Sequence, residues 1–350
     1  MSVLDYDALF AIPPYSLDKN EKKTLYSKWL TGLREHHCEK CPPYRKLVES
    51  LGNDPALPVR LFKEFDLRSC GEDTVNKTMT SSGTTGQRVS KIYLDRDTSA
   101  RQTKALVKIV SDFTGKARMP MLIIDSSAVI KNRNMFSARG AGILGFSMLG
   151  RDITYALDEN MQPDWDVINE FCKKYEGQEV LLFGFTFMIW LYFYLPLKQA
   201  GRKLPIKGTM IHGGGWKKLT DMQVSGEQFR EELKSVTELD RVLNYYGMVE
   251  QTGSIFMECE CGHLHASLFS DIDIIRPEDF STAAYGEKGL IKLTSLLPTS
   301  YPGHILLSED EGEILGEDDC PCGRKGKYFK IYGRIKGAEI RGCSDTYERR

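Results

Sequence analysis

The sequence predicts an α/β protein whose helices cover a largely parallel or mixed sheet, followed by a smaller β-rich subdomain. Two observations predict this architecture. Apolar strand-like runs alternate with helical stretches between residues 76 and about 215, whereas short strands, Gly/Pro turns and five of the nine cysteines dominate after residue 255. The 350 residues, 41% hydrophobic and 27% charged, are typical of a globular protein with one large domain or two ordinary ones.

The chain order of the elements divides the sequence into four regions. Residues 1–75 are predicted to be largely helical, with one helix from Leu17 to about Cys38 that breaks at Gly32, and another from Tyr44 to Leu51. Residues 76–255 form the predicted α/β core, residues 256–342 the β-rich subdomain and residues 343–350 a flexible tail. Within the core we expect the strands Met119–Asp125, Val180–Phe185 and Gly208–His212 and the helices Thr98–Phe113 and Trp165–Tyr175.

Properties of the whole chain limit the classes of function. The longest apolar run, Val180 to Leu195, has 16 residues. A bilayer span needs roughly 18–20 residues, so we expect a buried strand followed by a buried helix and no membrane span. The net charge of −1 provides no general attraction to nucleic acid. The amino-terminal residues show no basic stretch leading into an apolar one, so we expect a cytoplasmic protein. In that setting, the odd number of nine cysteines points to metal-binding or catalytic thiols rather than to disulfides.

The most informative stretch is the Ser/Thr/Gly-rich loop of residues 80–91. Gly83 and Gly86 permit close backbone approach, and the hydroxyl and N–H groups can donate to anions. The residues predicted to cradle a polyphosphate are Ser81, Ser82, Gly83, Thr84, Thr85 and Gly86. Either Arg88 or Lys91 supplies the cation. A flexible surface loop is the alternative, but the β-prone run Lys91–Leu94 favours a loop between two strands.

Further candidate site residues lie later in the chain. The triplet Gly213, Gly214 and Gly215 follows a predicted strand, and it forms either a turn or a surface on which a flat ring can lie. The run Asn244, Tyr245, Tyr246 and Gly247 leads to Glu250, whose carboxylate suits the oxygen coordination that Mg²⁺ prefers. Asp310 and Arg334 stand in two polar segments near the end of the chain.

In this order, these elements resemble those of the adenylate-forming superfamily of acyl-CoA synthetases, luciferases and nonribosomal adenylation domains. The resemblance covers roughly residues 76–342. It implies the mixed sheets and covering helices of the superfamily's N-terminal domain, and it implies ATP and Mg²⁺ as cofactors. By the same resemblance the loop holds the phosphates, the glycine triplet and Tyr246 hold the adenine, and Glu250 binds the magnesium ion.

Three further positions bear on the resemblance, and one of them departs from it. Val249 stands where the superfamily has a threonine, and Thr252 is the candidate to replace its hydroxyl. Asp310 matches the aspartate that binds the ribose, with the flanking Glu309 and Glu311 as alternatives. Arg334 matches the arginine of the superfamily's hinge, which reaches the ribose or the phosphates.

The end of the chain resembles one branch of the superfamily. Most members continue into a mobile lid that carries a catalytic lysine, and we expect this lid to be absent because the sequence stops at Arg350. A terminal cysteine without a lid is similar to the LuxE-type acyl-protein synthetases of bacterial fatty-acid reductase complexes. This implies that Cys343 accepts the acyl group and that an acyl-CoA reductase-type (LuxC-like) protein is the partner. The alternative is that Cys343 is an exposed bystander.

Paired cysteines predict a structural zinc site. Cys259, Cys261 and His265 precede Cys320 and Cys322 by about 55 residues, and two such clusters of soft ligands are typical of bound zinc. A resemblance to relatives of phenylacetate-CoA ligase implies Cys259, His265, Cys320 and Cys322 as the ligands. The other possible set exchanges His265 for Cys261, and unligated buried thiols are the remaining alternative.

The function expected from the sequence is ATP-dependent activation of a carboxylic acid to acyl-AMP. The LuxE-type resemblance implies a fatty acid and transfer of its acyl group to Cys343. Two alternatives remain: an acyl-CoA ligase of the phenylacetate-CoA ligase type, or a noncatalytic nucleotide-binding scaffold subunit. The predicted catalytic residues are Cys343, Glu250, Arg88 and Lys91.

Overall fold

The computed structural model describes residues 4–52, 55–81, 88–130, 136–216 and 222–335. The chain divides into two compact units. Among the described residues, the first unit comprises residues 4–112 and 247–335, and the second comprises residues 113–246. The boundaries expected from the sequence at residues 75, 255 and 342 stay predictions.

The helices and strands are numbered in chain order. The helices are α1 (Tyr6–Ala11), α2 (Lys19–Lys40), α3 (Pro42–Leu51), α4 (Leu61–Glu64), α5 (Arg96–Thr114), α6 (Ala138–Ser147), α7 (Trp165–Lys174), α8 (Thr186–Ile189), α9 (Leu195–Gln199) and α10 (Gly226–Val236). The strands are β1 (Leu57–Pro58), β2 (Lys77–Thr80), β3 (Lys91–Leu94), β4 (Met119–Ser126), β5 (Phe136–Ser137), β6 (Gly150–Leu157), β7 (Glu179–Phe185), β8 (Lys207–Gly213), β9 (Arg241–Tyr246), β10 (Phe256–Glu258), β11 (Leu264–His265), β12 (Ser270–Ile275), β13 (Lys288–Ser295), β14 (Ile305–Glu317) and β15 (Lys327–Arg334).

The long helix α2 of the first unit begins at a capping box. The Asp18 carboxylate accepts hydrogen bonds from the backbone N–H groups of Asn20 and Glu21, and the Glu21 side chain accepts one from the N–H of Asp18. The helix continues through Gly32, so the predicted break there is wrong. A glycine costs a helix about 1 kcal/mol relative to alanine, and burial of the neighbouring Trp29 and Leu33 side chains outweighs that cost.

Most of the first unit's strands form a largely antiparallel sheet in the order β12-β13-β14-β15-β11-β10, with β1 parallel to β14. Alternate side chains of its strands fill the core, since Ile272, Leu293 and Leu306 are paired across three strands and buried. Separately, β2 and β3 form an antiparallel hairpin. The short strands expected after residue 255 are therefore present in the structure.

The second unit contains a five-stranded parallel sheet in the order β9-β8-β7-β4-β6. Its three central strands, β4, β7 and β8, are almost fully buried, whereas the outer strands β6 and β9 are only partly buried. The chain leaves β4 for β6 on one side and then continues with β7 on the other. Ligands of open parallel sheets bind outside the carboxyl ends of the strands near such a switch point, here between β4 and β7.

The apolar run from Val180 to Leu195 forms most of β7 and continues through α8 and a π-helical turn, Trp190–Tyr194, to the start of α9. The predicted buried strand followed by a buried helix is therefore confirmed. In the part of the chain that the structure describes, no helix has both the length and the apolar character that a bilayer crossing requires.

Candidate functional site

The hairpin of β2 and β3 holds the base of the Ser/Thr/Gly-rich loop. The backbone N–H of Ser81 donates to the carbonyl of Ser90 at 3.2 Å, and the Ser81 hydroxyl accepts from the N–H of Ser90 at 2.9 Å. The loop therefore joins two strands, as the sequence predicted. Its remaining candidate phosphate ligands, Ser82, Gly83, Thr84, Thr85 and Gly86, lie outside the described residues.

Both candidate cations, Arg88 and Lys91, follow the loop in sequence, close to the start of β3. A guanidinium nitrogen of Arg88 lies 2.7 Å from a carboxylate oxygen of Glu64, and both side chains are at least half exposed. Exposed ion pairs contribute about 0–1 kcal/mol, so an arriving phosphate can replace Glu64 as the partner of Arg88 at small cost. Lys91 is exposed at the first position of β3, opposite Thr80.

Glu250 lies on a 3₁₀ turn, Val249–Gln251, and is almost fully buried. Its backbone carbonyl accepts a hydrogen bond of 2.9 Å from the Tyr301 hydroxyl. The hydroxyl of Thr252, the candidate replacement for the superfamily's threonine, donates to the Val249 carbonyl at 2.9 Å. A carboxylate in this position has the donor chemistry that Mg²⁺ requires.

Asp310 and Arg334 face each other on the adjacent strands β14 and β15. They are register partners, with 3.7 Å between Oδ1 of Asp310 and Nε of Arg334. Arg334 also lies 3.6 Å from Oε2 of Glu309, which in turn pairs with Arg60. The predicted ribose carboxylate and the predicted hinge arginine therefore belong to one charged cluster. Arg60 was not predicted from the sequence, because nothing local marks an arginine that contacts a residue 249 positions away.

The glycine triplet begins at the last residue of β8, Gly213, in the second unit. A Cβ atom on Gly213 would lie 2.7 Å from both a ring carbon and the carbonyl oxygen of Tyr245, its register partner on β9. Gly214 and Gly215 have φ angles of 85° and 61°, in the left-handed region that favours glycine. The triplet is thus a backbone turn without side chains at the edge of the sheet where ligands of parallel sheets bind.

The Tyr245 ring belongs to an aromatic layer. It lies 4.9 Å from the Phe146 ring and 6.4 Å from the Phe183 ring, measured between centroids. Asn244 and Tyr246 precede and follow it on β9, and both are half-buried. Successive residues of a strand face opposite sides, so Tyr246 projects from the other face of the sheet.

Two buried polar groups at the same edge of this sheet were not expected from the sequence. Thr186, which follows β7, donates its hydroxyl proton to the Gly213 carbonyl at 3.1 Å, so Nδ1–H of His212 donates to the Thr186 oxygen at 2.9 Å. At the end of β4, the Asp125 carboxylate forms a buried, two-point ion pair with the Arg139 guanidinium.

Four of the five candidate metal ligands meet in the first unit. The ligand atoms of Cys259, His265, Cys320 and Cys322 all lie within 4.8 Å of one another. Cys261 is exposed and is not in this group. The set is the one implied by the resemblance to relatives of phenylacetate-CoA ligase.

The separations in this group fit tetrahedral zinc. The sulfur atoms of Cys259 and Cys320 are 3.9 Å apart, and Nε2 of His265 lies 3.4 Å from the sulfur of Cys322. A tetrahedron with bonds of about 2.3 Å to sulfur and 2.0–2.1 Å to nitrogen has edges of about 3.8 and 3.6 Å. His263, whose Nδ1 lies 3.4 Å from the Cys320 sulfur, is a neighbour that the sequence analysis missed.

Burial sets the protonation of these ligands. It raises the pKa of Cys259 to about 11 and the pKa of Cys320 above its ordinary value, and it lowers the pKa of His265 to about 4. Buried thiolates are therefore disfavoured unless a cation accompanies them. A Zn²⁺ ion held by these atoms would supply that charge.

The structure distributes the candidate residues between its two units. Ser81, Arg88, Lys91, Gly247, Glu250, Asp310, Arg334 and the metal ligands belong to the first unit, and the glycine triplet with Asn244, Tyr245 and Tyr246 belongs to the second. Cys343 lies outside the described residues.

Comparison with known proteins identifies relatives along the whole chain. The sequence model of the family described as "Acyl-protein synthetase, LuxE" matches residues 2–350. A long-chain-fatty-acid–luciferin-component ligase of Vibrio harveyi is 24% identical over 97% of this chain and 91% of its own length. The enzyme of the same name from Aliivibrio fischeri is 23% identical, over 97% and 92% of the two chains.

Comparison with a solved structure identifies the type of fold. An open conformation of 2-hydroxyisobutyryl-CoA ligase, in complex with 2-HIB-AMP and CoA, superimposes with a TM-score of 0.70. The alignment covers 92% of this chain and 77% of the ligase at 15% identity, so it shows a shared fold. The adenylate-forming fold and the enzyme class expected from the motifs are confirmed. The family match extends over essentially the whole sequence, and the chain therefore belongs to the LuxE family of acyl-protein synthetases.

Proposed function

We propose that this chain uses ATP and Mg²⁺ to activate a fatty acid as its acyl adenylate and then transfers the acyl group to its own Cys343. The observation that carries the proposal is the family match over residues 2–350, which extends to the terminal cysteine. The names of the two curated relatives, both long-chain-fatty-acid ligases, support the choice of substrate class.

The first half-reaction joins the acid to the nucleotide. A carboxylate oxygen of the acid attacks the α-phosphorus of ATP, the bond to the bridging oxygen breaks, and pyrophosphate leaves. We assign phosphate binding to Ser81 with the loop that follows it, and charge neutralisation to Arg88 or Lys91. Glu250 would hold Mg²⁺, whose charge offsets that of the phosphates.

Two sets of residues are assigned to the nucleoside. We assign binding of the ribose hydroxyls to Asp310. Arg334 faces Asp310 on the neighbouring strand, and we assign to it a contact with the ribose or the phosphates. The adenine is assigned to the glycine triplet and to Asn244, Tyr245, Tyr246 and Gly247. Support for the triplet comes from the absence of side chains on a turn at the ligand-binding edge of a parallel sheet.

The second half-reaction moves the acyl group. The Cys343 thiolate attacks the acyl carbon of the adenylate, the bond to the phosphate oxygen breaks, and AMP leaves with the electron pair. The resulting thioester is the form in which we propose that a reductase partner of the acyl-CoA reductase type receives the acyl group. We further propose a structural Zn²⁺ at Cys259, His265, Cys320 and Cys322, and a cytoplasmic location.

Intact mass spectrometry tests the transfer step. The protein is incubated with ATP, Mg²⁺ and carboxylic acids of increasing chain length, and wild type is compared with Cys343→Ser and with Cys261→Ser, which removes an exposed thiol instead. We expect a hydroxylamine-labile acyl adduct on wild type and Cys261→Ser, and none on Cys343→Ser, because a serine hydroxyl offers almost no anion near pH 7.

Pyrophosphate exchange tests the activation step separately. Acid-dependent exchange should persist in Cys343→Ser and be lost in Glu250→Gln, which keeps the shape of the side chain but removes its charge. A full acyl adduct on Cys343→Ser would exclude this cysteine as the acceptor and favour another thiol or coenzyme A. A protein that shows no exchange with any acid would instead be a nucleotide-binding scaffold.

A further inference from the structure

The turn that carries Glu250 is held by buried hydrogen bonds in two directions. The Tyr301 hydroxyl donates to the Glu250 carbonyl at 2.9 Å. In return, the side-chain amide of Gln251 donates to the Gly303 carbonyl at 2.8 Å. All four of these residues lie within the first unit, and Tyr301, Glu250 and Gln251 are each at most 4% exposed.

A third element fixes the position of Tyr301. The amide of Gln102, on α5, donates to the Tyr301 hydroxyl at 3.3 Å, so a chain of hydrogen bonds runs from α5 through Tyr301 to the Glu250 backbone. The same helix touches the turn on its other side, because a Cβ atom on Gly253 would lie 2.5 Å from the Gln102 carbonyl oxygen. The backbone around Glu250 is therefore held by α5 and by the segment of residues 301–303.

The close fit of this segment allows little freedom to the turn. A Cβ atom on Gly303 would overlap the Tyr301 ring and lie 3.0 Å from the Glu250 carbonyl oxygen. Since water does not reach these groups, each lost hydrogen bond leaves a buried polar atom without its partner, which is more costly than the loss of an exposed one. The Tyr301 hydroxyl is therefore one of the groups that hold the backbone of this turn in place.

We propose that Tyr301 is a positioning residue for metal binding: by fixing the backbone carbonyl of Glu250, it orients the Glu250 carboxylate toward the magnesium ion of MgATP. This inference rests on the proposed function, in which Glu250 is the magnesium ligand. Tyr301 itself contacts neither the metal nor the nucleotide in this scheme. The Gln102 amide acts one step further away, through the hydroxyl of Tyr301.

The variant Tyr301→Phe tests the inference, because it removes only the hydroxyl. Tyr26→Phe is the matched control: Tyr26 is also buried in the first unit, and its hydroxyl also donates to a backbone carbonyl, that of Leu268 at 3.2 Å. Both variants should lose similar stability. The measured quantity is the dissociation constant of MgATP by isothermal titration calorimetry without acid, repeated with ATP in EDTA.

We expect Tyr301→Phe to weaken MgATP binding about fivefold, the equivalent of one net hydrogen bond of ~1 kcal/mol. Tyr26→Phe should bind MgATP as wild type does. In EDTA all three proteins should bind ATP equally, since the carboxylate then has no metal to hold. The variant Gln102→Met should shift MgATP binding in the same direction by a smaller factor, which keeps the test available if Tyr301→Phe is poorly soluble.

Two results overturn the inference. One is unchanged MgATP binding by Tyr301→Phe and Gln102→Met while Glu250→Gln binds MgATP more weakly, which leaves Glu250 as the ligand but removes Tyr301 from its positioning. The other is an equal loss in the Tyr26→Phe control, which would reduce the effect to general destabilisation. If Glu250→Gln itself binds MgATP normally, the magnesium assignment in the proposed function fails first, and the positioning role fails with it.

Discussion

Acidification should destabilise the first unit through a buried pair of histidines. His304 is 1% exposed and stacks on His37 with 4.9 Å between the ring centroids. Nε2 of His304 lies 3.2 Å from the Tyr44 hydroxyl, and the partly exposed His36 also acts electrostatically on this ring. Burial, reinforced by the charge of His36, lowers the pKa of His304 to about 3 and also lowers that of His37 well below its usual value.

The sign and size of the effect follow from this shift. In the unfolded chain a histidine has a pKa of about 6.5, so the folded state resists a proton that the unfolded state accepts. The stabilising contribution of His304 is therefore fully present above pH 6.5 and is lost as the pH falls towards 3. At pH 5 the loss is about 2 kcal/mol for this one side chain, from the ratio of protonated to neutral imidazole in the unfolded state.

Urea unfolding at pH 7.5 and pH 5 measures this contribution. His304→Gln cannot titrate, so its free energy of unfolding should fall by about 2 kcal/mol less than that of wild type between the two pH values. Tyr44→Phe is the control, because it removes the same hydrogen bond but keeps the buried imidazole, and its pH dependence should match that of wild type. An equal pH dependence in wild type and His304→Gln would refute the reasoning.

Three further predictions concern other parts of the structure. Purified protein should contain about one zinc per chain by elemental analysis; Cys320→Ser should lose it and Cys261→Ser should keep it, and zinc-free wild-type protein would contradict the proposed site. Gly213→Ala should raise the Michaelis constant for ATP in pyrophosphate exchange, because the new methyl group would lie 2.7 Å from the neighbouring tyrosine ring, and an unchanged constant would contradict the proposed role of the turn. Asp125→Ala should lower the free energy of unfolding by roughly 3–5 kcal/mol, since it leaves the Arg139 guanidinium buried without its partner, whereas a loss below about 1 kcal/mol would mean that water reaches this pair.

The sequence predicted best the features that depend on neighbouring residues. The strands β4, β7 and β8 were recognised because each is a short apolar run bounded by turn residues. The four candidate metal ligands could be singled out because each half of the set is compact in sequence, and the spacing of each half is itself a ligand pattern. The order of the motifs indicated the adenylate-forming superfamily, and Cys343 indicated the LuxE-type branch.

What the sequence did not predict depends on distant partners. Tyr301 is separated in sequence by 51 positions from Glu250 and by 199 positions from Gln102, and contacts at such separations produce no periodic pattern in the sequence. The continuation of α2 through Gly32 depends on burial that only the folded unit provides. Likewise, a lone histidine such as His304 gives no local sign that it will be enclosed by aromatic rings and held neutral.

The discontinuity of the first unit has a consequence for biosynthesis. The buried partner of Lys22, the carbonyl of Ser270, lies 248 positions later in the sequence, and His304 lies 260 positions after its partner Tyr44. At about 5–20 residues per second, the ribosome needs roughly 12–50 s to synthesise the residues between the two members of each pair. The described residues of the second unit, 113–246, are continuous in sequence and are complete before His304 is made. Throughout this interval, Lys22 and Tyr44 therefore lack the partners that they have in the folded first unit.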